Sequence, residues 1–285
     1  MRFVMDYSTE TEGLILAQTH QSSTRILTLN RPNKRNALCQ TLIDELLRQL
    51  EIASADPHIR AIVIAGSGAI FSAGADIKEI AQLDGETARR KRYLEDLCYA
   101  MKQVRKPIIA AVEGKALGGG FELALMVFNI PLQMVSDLTE TLLKADFIVA
   151  SIDVEFRLPE ISIGLIPGAG GTQRVTAAVG KYRAMNMILL NEPLYGQDAY
   201  QLGLVSKLVE PAKALSGALE IAEKLASQSA STLMVAKEAI CRADELQHDH
   251  EFERSLYYAT FGTRAMVEGV NAFLEKRAPV WSTPS

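Results

Sequence analysis

Residues Lys106–Leu125 read KPIIAAVEGKALGGGFELAL. The opening run Pro107–Val112 (PIIAAV) is short, apolar and uncharged, as expected of a strand buried on both faces. Leu117–Gly120 then forms a glycine-rich turn that should open an apolar helix at Phe121–Met126. A strand, a few small residues and a helix start leave backbone N–H groups without intrahelical acceptors and free to face a ligand. Small side chains also let the backbone approach that ligand closely. Glu122 is the one charged residue of the expected helix. Taken singly, it reads equally well as a complement to the helix dipole, and the three glycines as a tight turn.

The same arrangement recurs on either side. Upstream, the strand-like Ala61–Ala65 (AIVIA) leads to Phe71–Lys78 (FSAGADIK). Downstream, the strand-like Phe147–Ser151 (FIVAS) leads to Leu158-Pro159-Glu160 and on to Gly164–Gly171. Three small-residue loops on consecutive strands are harder to explain as turns than any one of them. Two N–H groups from different loops can hold a carbonyl oxygen as it becomes an oxyanion. Glu160, which alone reads as a loop charge, gives Glu122 a partner. Two carboxylates in an apolar pocket can accept a proton from water and deliver one to carbon without a metal. The glycine loops match neither a dinucleotide fingerprint nor a Walker A loop.

Further out, Arg25–Asn30 reads as a strand ending at the turn Arg31-Pro32-Asn33. Leu42–Ile52 has leucines at helical spacing, and Glu86–Val104 reads as one charged amphipathic helix. After about Gly170 the pattern turns mostly helical, with candidates at Gly171–Val179, Tyr182–Leu190, Gln197–Leu202, Ala212–Ser227, Ser231–Ala243, His250–Thr260 and Thr263–Arg277. Strands alternating with helices predict an α/β core with parallel strands and a helical tail.

Composition narrows the function classes. Charged residues make up 22% of 285 and the net charge is −4 with both signs dispersed, so no field points to nucleic acid or an anionic membrane. Cys39, Cys98 and Cys241 are scattered thiols that suit neither a disulfide framework nor a four-thiolate zinc site. His20, His58, His248 and His250 show no metal spacing, and no metal site is expected. No apolar run approaches the roughly 18 residues of a membrane span. Neither terminus reads as a targeting signal, which leaves mitochondrial, peroxisomal and cytosolic locations open.

At its motifs the chain resembles the enoyl-CoA hydratase/isomerase (crotonase) superfamily, and within it the short-chain enoyl-CoA hydratases. The matching stretches include Leu29–Leu38 (LNRPNKRNAL), Phe71–Ile80, Lys106–Leu125, Phe156–Val175 and Phe273–Pro279 (FLEKRAP). The resemblance implies an α/β fold of crotonase type, a ββα spiral core over residues 1–210 with a helical C-terminal trimerisation region over 211–285. It implies that the N–H groups of Ala75 and Gly119 form an oxyanion hole for a thioester carbonyl. Glu122 and Glu160 would then be the acid/base pair. Ala73, Asp76, Ile77 and Lys78 would line the coenzyme A edge, with Arg35 and Ala37 near its nucleotide end. Phe273 and Lys276 would reach the coenzyme A of a neighbouring subunit in a homotrimer or dimer of trimers. The implied activity adds water to a 2-enoyl-CoA, with coenzyme A as part of the substrate and no separate cofactor. The alternatives are an isomerase or another crotonase-type lyase, or an impaired or non-catalytic binding variant.

The last alternative arises from Val127–Lys144 (VFNIPLQMVSDLTETLLK), a block foreign to the family pattern. Removing it joins Met126 to Ala145-Asp146-Phe147 and restores that pattern. Two readings stand: a retained short intron translated in frame, or a genuine surface loop. In either case the block is expected to loop out and leave the next strand in place, since loop closure costs grow slowly with length. Sequencing the transcript separates the readings, because a transcript population carrying these codons ends the intron reading.

Overall fold

The computed structural model describes residues 13–126, 146–243, 254 and 257–280. Among these residues nine strands form two sheets. The larger has the order β1 (Ile15–His20), β2 (Thr24–Leu29), β3 (Ala61–Gly66), β4 (Ile108–Val112), β6 (Phe147–Ser151), β9 (Lys207–Val209). The smaller joins β5 (Lys115–Leu117), β7 (Glu155–Arg157) and β8 (Leu194–Tyr195). From β2 to β9 the large sheet is parallel, in register at Val63↔Ile109, Ala110↔Ile148 and Ala150↔Leu208.

Alternating side chains explain why the central strands β3, β4 and β6 are almost wholly apolar. Ile62, Ile64, Ala110 and Ile148 face the main core, while Ala61, Val63, Ile109 and Val149 face the helix Ala214–Ala226. That helix presents Ala214, Ala218 and Ala222 at four-residue spacing, and small side chains bring it close to the sheet. The helical tail therefore begins by covering the sheet's second face.

Strands β3, β4 and β6 are each followed by a short extended piece in a second layer and then by a helix or 3-10 turn. After β3, Ser72 bridges Ala116 and the helix Ile77–Ile80 follows. After β4, β5 leads into the helix Gly119–Met126, and after β6, β7 leads into the 3-10 turn Glu160–Ile163. Three such turns make the expected ββα spiral. Because the long strands run parallel, their following loops emerge at one end of the sheet.

Several elements differ from the sequence reading. Glu86–Val104 is two helices, Gly85–Arg90 and Glu95–Gln103, separated by a turn in which Arg92 and Leu94 have φ of 51° and 63°. Neither residue is a glycine or proline, so nothing local announces the break; packing of Tyr93, Leu94 and Leu97 into the core imposes it. The helix after the triple glycine starts at Gly119 rather than Phe121. Strands β8 and β9 lie in the region read as mostly helical, between its helix candidates, and β1 was not anticipated. The helix expected over His250–Thr260 falls mostly outside the described residues, though 257–260 are helical.

The block Val127–Lys144 also lies outside the described residues. The strand after it is not displaced, since Phe147–Ser151 sits between β4 and β9 in parallel register. Asp146, just before that strand, accepts from the Ile108 N–H at 2.8 Å and from Lys237 Nζ at 2.7 Å, with both charged side chains buried. Lys237 also donates to the Lys106 carbonyl at 3.0 Å, clamping the helix Ala230–Ala243 to the sheet. Lys237→Met strands the buried Asp146 carboxylate and is expected to cost about 3–5 kcal/mol in urea unfolding. Adding Asp146→Leu to that variant should recover most of the loss.

Candidate active site

A single cavity gathers the small-residue loops and the two glutamates. Its wall includes Ala73, Gly74, Ala75 and Ile77 from the loop after β3, and Gly118, Gly119 and Glu122 from the turn after β5. Pro159 and Glu160 close it from the loop after β7.

The amides of Ala75 and Gly119 lie side by side. A Cβ added to Gly119 would fall 3.4 Å from the Ala75 nitrogen, and one added to Gly74 would fall 3.1 Å from the Gly119 nitrogen. Among the described residues neither N–H donates to a backbone or side-chain acceptor. Gly119 opens its helix, where an N–H has no intrahelical partner. The loop carrying Ala75 is held from outside, with Leu38 N–H donating to Gly74 O and Asp76 N–H to Leu38 O.

Glu122 is 1% exposed. Its Oε1 accepts the Ala169 N–H at 2.8 Å and the Gly171 N–H at 2.7 Å, which solvates the carboxylate inside an apolar region. Buried Arg174 donates to the Ala169 carbonyl at 2.5 Å, so the same short loop is gripped from both sides. Glu160 begins the 3-10 turn directly after Pro159 and is half-buried. Its Oε1 occupies the space a side chain at Gly118 would need, since a Cβ there would lie 2.6 Å away, and Gly118 has φ +48°.

The residues expected along the coenzyme A edge divide into groups. Ala73 and Ile77 line the cavity; Asp76 and Lys78 do not. The Asp76 carboxylate caps the helix Ile77–Ile80 through the Lys78 N–H and pairs with Arg31 at 2.6 Å. Burial opposes its charge, but the hydrogen bonds from Arg31 and the Lys78 N–H outweigh burial and hold it below the usual carboxylate range. Arg35 is exposed and Ala37 half-buried, and Arg35 O accepts the Ala73 N–H at 2.9 Å, tying the first turn to the cavity rim. Phe273, at the end of the last helix Arg264–Leu274, is 58% exposed, and exposed Lys276 follows that helix; neither lines the cavity.

The sequence reading did not single out Leu94 or Tyr257, which also line the cavity. Leu94 lies in the unanticipated break between helices. Tyr257 sits between Leu256 and Tyr258 in a candidate helix, where a tyrosine looks like any other core aromatic.

The sequence profile described as Enoyl-CoA hydratase/isomerase matches residues 19–130 and 139–284, with its interruption inside the foreign block. A mitochondrial enoyl-CoA hydratase of Pongo abelii is 42% identical over 254 residues, covering 88% of this chain and 81% of its own. A probable enoyl-CoA hydratase of Rhizobium meliloti (strain 1021) is 43% identical, covering 92% and 95%. The crystal structure of a carnitinyl-CoA hydratase from Mycobacterium avium superposes with a TM-score of 0.78 at 30% identity, covering 95% of this chain and 99% of that one.

Two glycines with positive φ separate backbone strain from steric conflict. Gly203 has φ +77° and nothing within 4 Å of an added Cβ, so Gly203→Ala should cost only about 1 kcal/mol of left-handed strain. Gly118→Ala carries the same strain, and its Cβ meets only the far end of the Glu160 side chain, which can turn aside, so its urea midpoint should fall by about as much; a much larger fall would show that Glu160 is held in place.

Proposed function

Because the chain belongs to the enoyl-CoA hydratase/isomerase family, we propose that it is an enoyl-CoA hydratase in which Glu122 and Glu160 move the protons. The observation that carries this reading is the single cavity shared by both carboxylates and the Ala75 and Gly119 amides. A thioester carbonyl placed against those two N–H groups gains most when its oxygen becomes negative, which lowers the barrier rather than merely tightening binding. Water adds its oxygen to C3 of the enoyl group and the π electrons move toward the thioester oxygen. One carboxylate takes the proton that water loses, and the pair returns a proton to C2. The product is a 3-hydroxyacyl-CoA, with one water consumed and no electron transferred. Both proton steps fall to side-chain acids, so the reading assigns no cofactor, and coenzyme A enters with the substrate.

Binding follows from the same loops. Ala73 and Ile77 border the thioester end, and Asp76 orders that edge through Arg31. Lys78 is proposed to belong to the same coenzyme A edge, with Arg35 and Ala37 near its nucleotide end. Residues 211–285 are proposed to mediate assembly, with Phe273 and Lys276 reaching the coenzyme A of a neighbouring subunit in a homotrimer or dimer of trimers. The exposure of Phe273, Tyr182 and Leu190 supports an assembly that covers them.

The test is incubation with crotonyl-CoA while following loss of the conjugated enoyl absorbance. Glu122→Gln and Glu160→Gln are each expected to lower turnover by at least about a hundredfold, the scale of a lost acid/base group. Near-normal turnover in either variant refutes the role given to that residue.

A further inference from the structure

Tyr257 is 3% exposed, yet it lines the cavity that holds Glu122 and Glu160. Its ring is set by two neighbours. A Cβ on Gly168 would fall 2.5 to 2.6 Å from three of the ring carbons, so the ring lies directly against the backbone of that loop. Phe261 packs edge-on at 5.0 Å between centroids and 89° between planes. Gly168 directly precedes Ala169, whose N–H holds Glu122. The ring thus braces the loop that fixes the first glutamate, from inside the cavity it shares with the second. A phenylalanine would satisfy this packing equally well. The hydroxyl is what needs a reason, because a buried O–H costs free energy unless it serves a polar partner. Apart from Tyr257, the polar side chains lining this cavity among the described residues are Glu122 and Glu160.

We infer that Tyr257 is a positioning residue for the hydration reaction: its hydroxyl, in the cavity it shares with Glu122 and Glu160, orders the two carboxylates and the water between them. This rests on the acid/base roles proposed above. The phenol is suited to act as a fixed donor. Burial pushes its pKa well above the ordinary value, and the charges of the neighbouring groups Tyr93, Glu122, Glu160 and Tyr258 push it the same way. It therefore stays an O–H at any pH where carboxylates titrate, and it acts through the glutamates rather than as a base.

The test is Tyr257→Phe, which keeps the ring against Gly168 and Phe261 and removes only the hydroxyl. With crotonyl-CoA, kcat is expected to fall about tenfold or more, the scale of one hydrogen bond to a charged group. KM should stay within about twofold, since the loss falls on the proton-transfer geometry rather than on substrate binding. The acid limb of the kcat–pH profile should move to higher pH, because a carboxylate that loses an O–H donor is less stabilised as the anion. An unchanged kcat with an unmoved acid limb overturns the inference, including the case in which Tyr257→Leu is impaired and only the ring matters. Glu122→Gln and Glu160→Gln are measured alongside. Normal turnover in those variants sinks the underlying site assignment, whereas their loss beside an unaffected Tyr257→Phe sinks only the role of Tyr257.

Discussion

Two backbone amides, those of Ala169 and Gly171, converge on one oxygen of Glu122. Much of the site depends on this contact. A carboxyl group 1% exposed in an apolar region needs polar partners, and here the partners come from a loop 47 residues further along the chain. The contact therefore solvates Glu122 and docks the loop after β7 against the helix after β5. Arg174 holds the same loop by its Ala169 carbonyl, and Tyr257 packs on it at Gly168. A change to any of these residues would be felt at the carboxylate.

The large sheet makes this convergence possible. Its parallel run sends the loops after β3, β4 and β6 to one end, and the short second sheet brings them together at the Ser72–Ala116 bridge and the β5–β7 pairing. The side chains of β3, β4 and β6 are almost all apolar because both faces are covered there, one by the main core and the other by an alanine stripe. The foreign block falls between two rigid elements of this arrangement, the Glu122 helix and β6. Its neighbours keep their pairing because β6 is held along its length by β4 and β9, and at its start by the Asp146–Lys237 pair.

Close approach sets the scale of the site. Gly118 and Gly171 leave room for the carboxylates of Glu160 and Glu122, with added side chains falling 2.6 and 2.8 Å from them. Small residues here bring amides and acids within reach of one small group. Apart from Glu122, Glu160 and Tyr257, the side chains lining the cavity among the described residues are apolar.

Residues 106–125 by themselves determined a great deal. An apolar strand, a glycine turn and a helix with one acid in its first turn are local patterns, and local patterns are legible because φ/ψ preference and side-chain period are properties of neighbouring residues. The recurrence of that pattern before and after gave the α/β reading, the small-residue loops and the pair Glu122 and Glu160. Other features were decided only in three dimensions. The break at Arg92–Leu94 has no glycine or proline to mark it, because the core contacts of Tyr93, Leu94 and Leu97 impose it. The short strands β8 and β9 exist because β7 and β6 offer them unpaired edges, not because two or three residues prefer to be extended. Tyr257 lies 135 residues from Glu122, and no spacing rule connects them. Their meeting is a product of packing, which depends on partners far along the chain and so leaves little trace in the residues on either side.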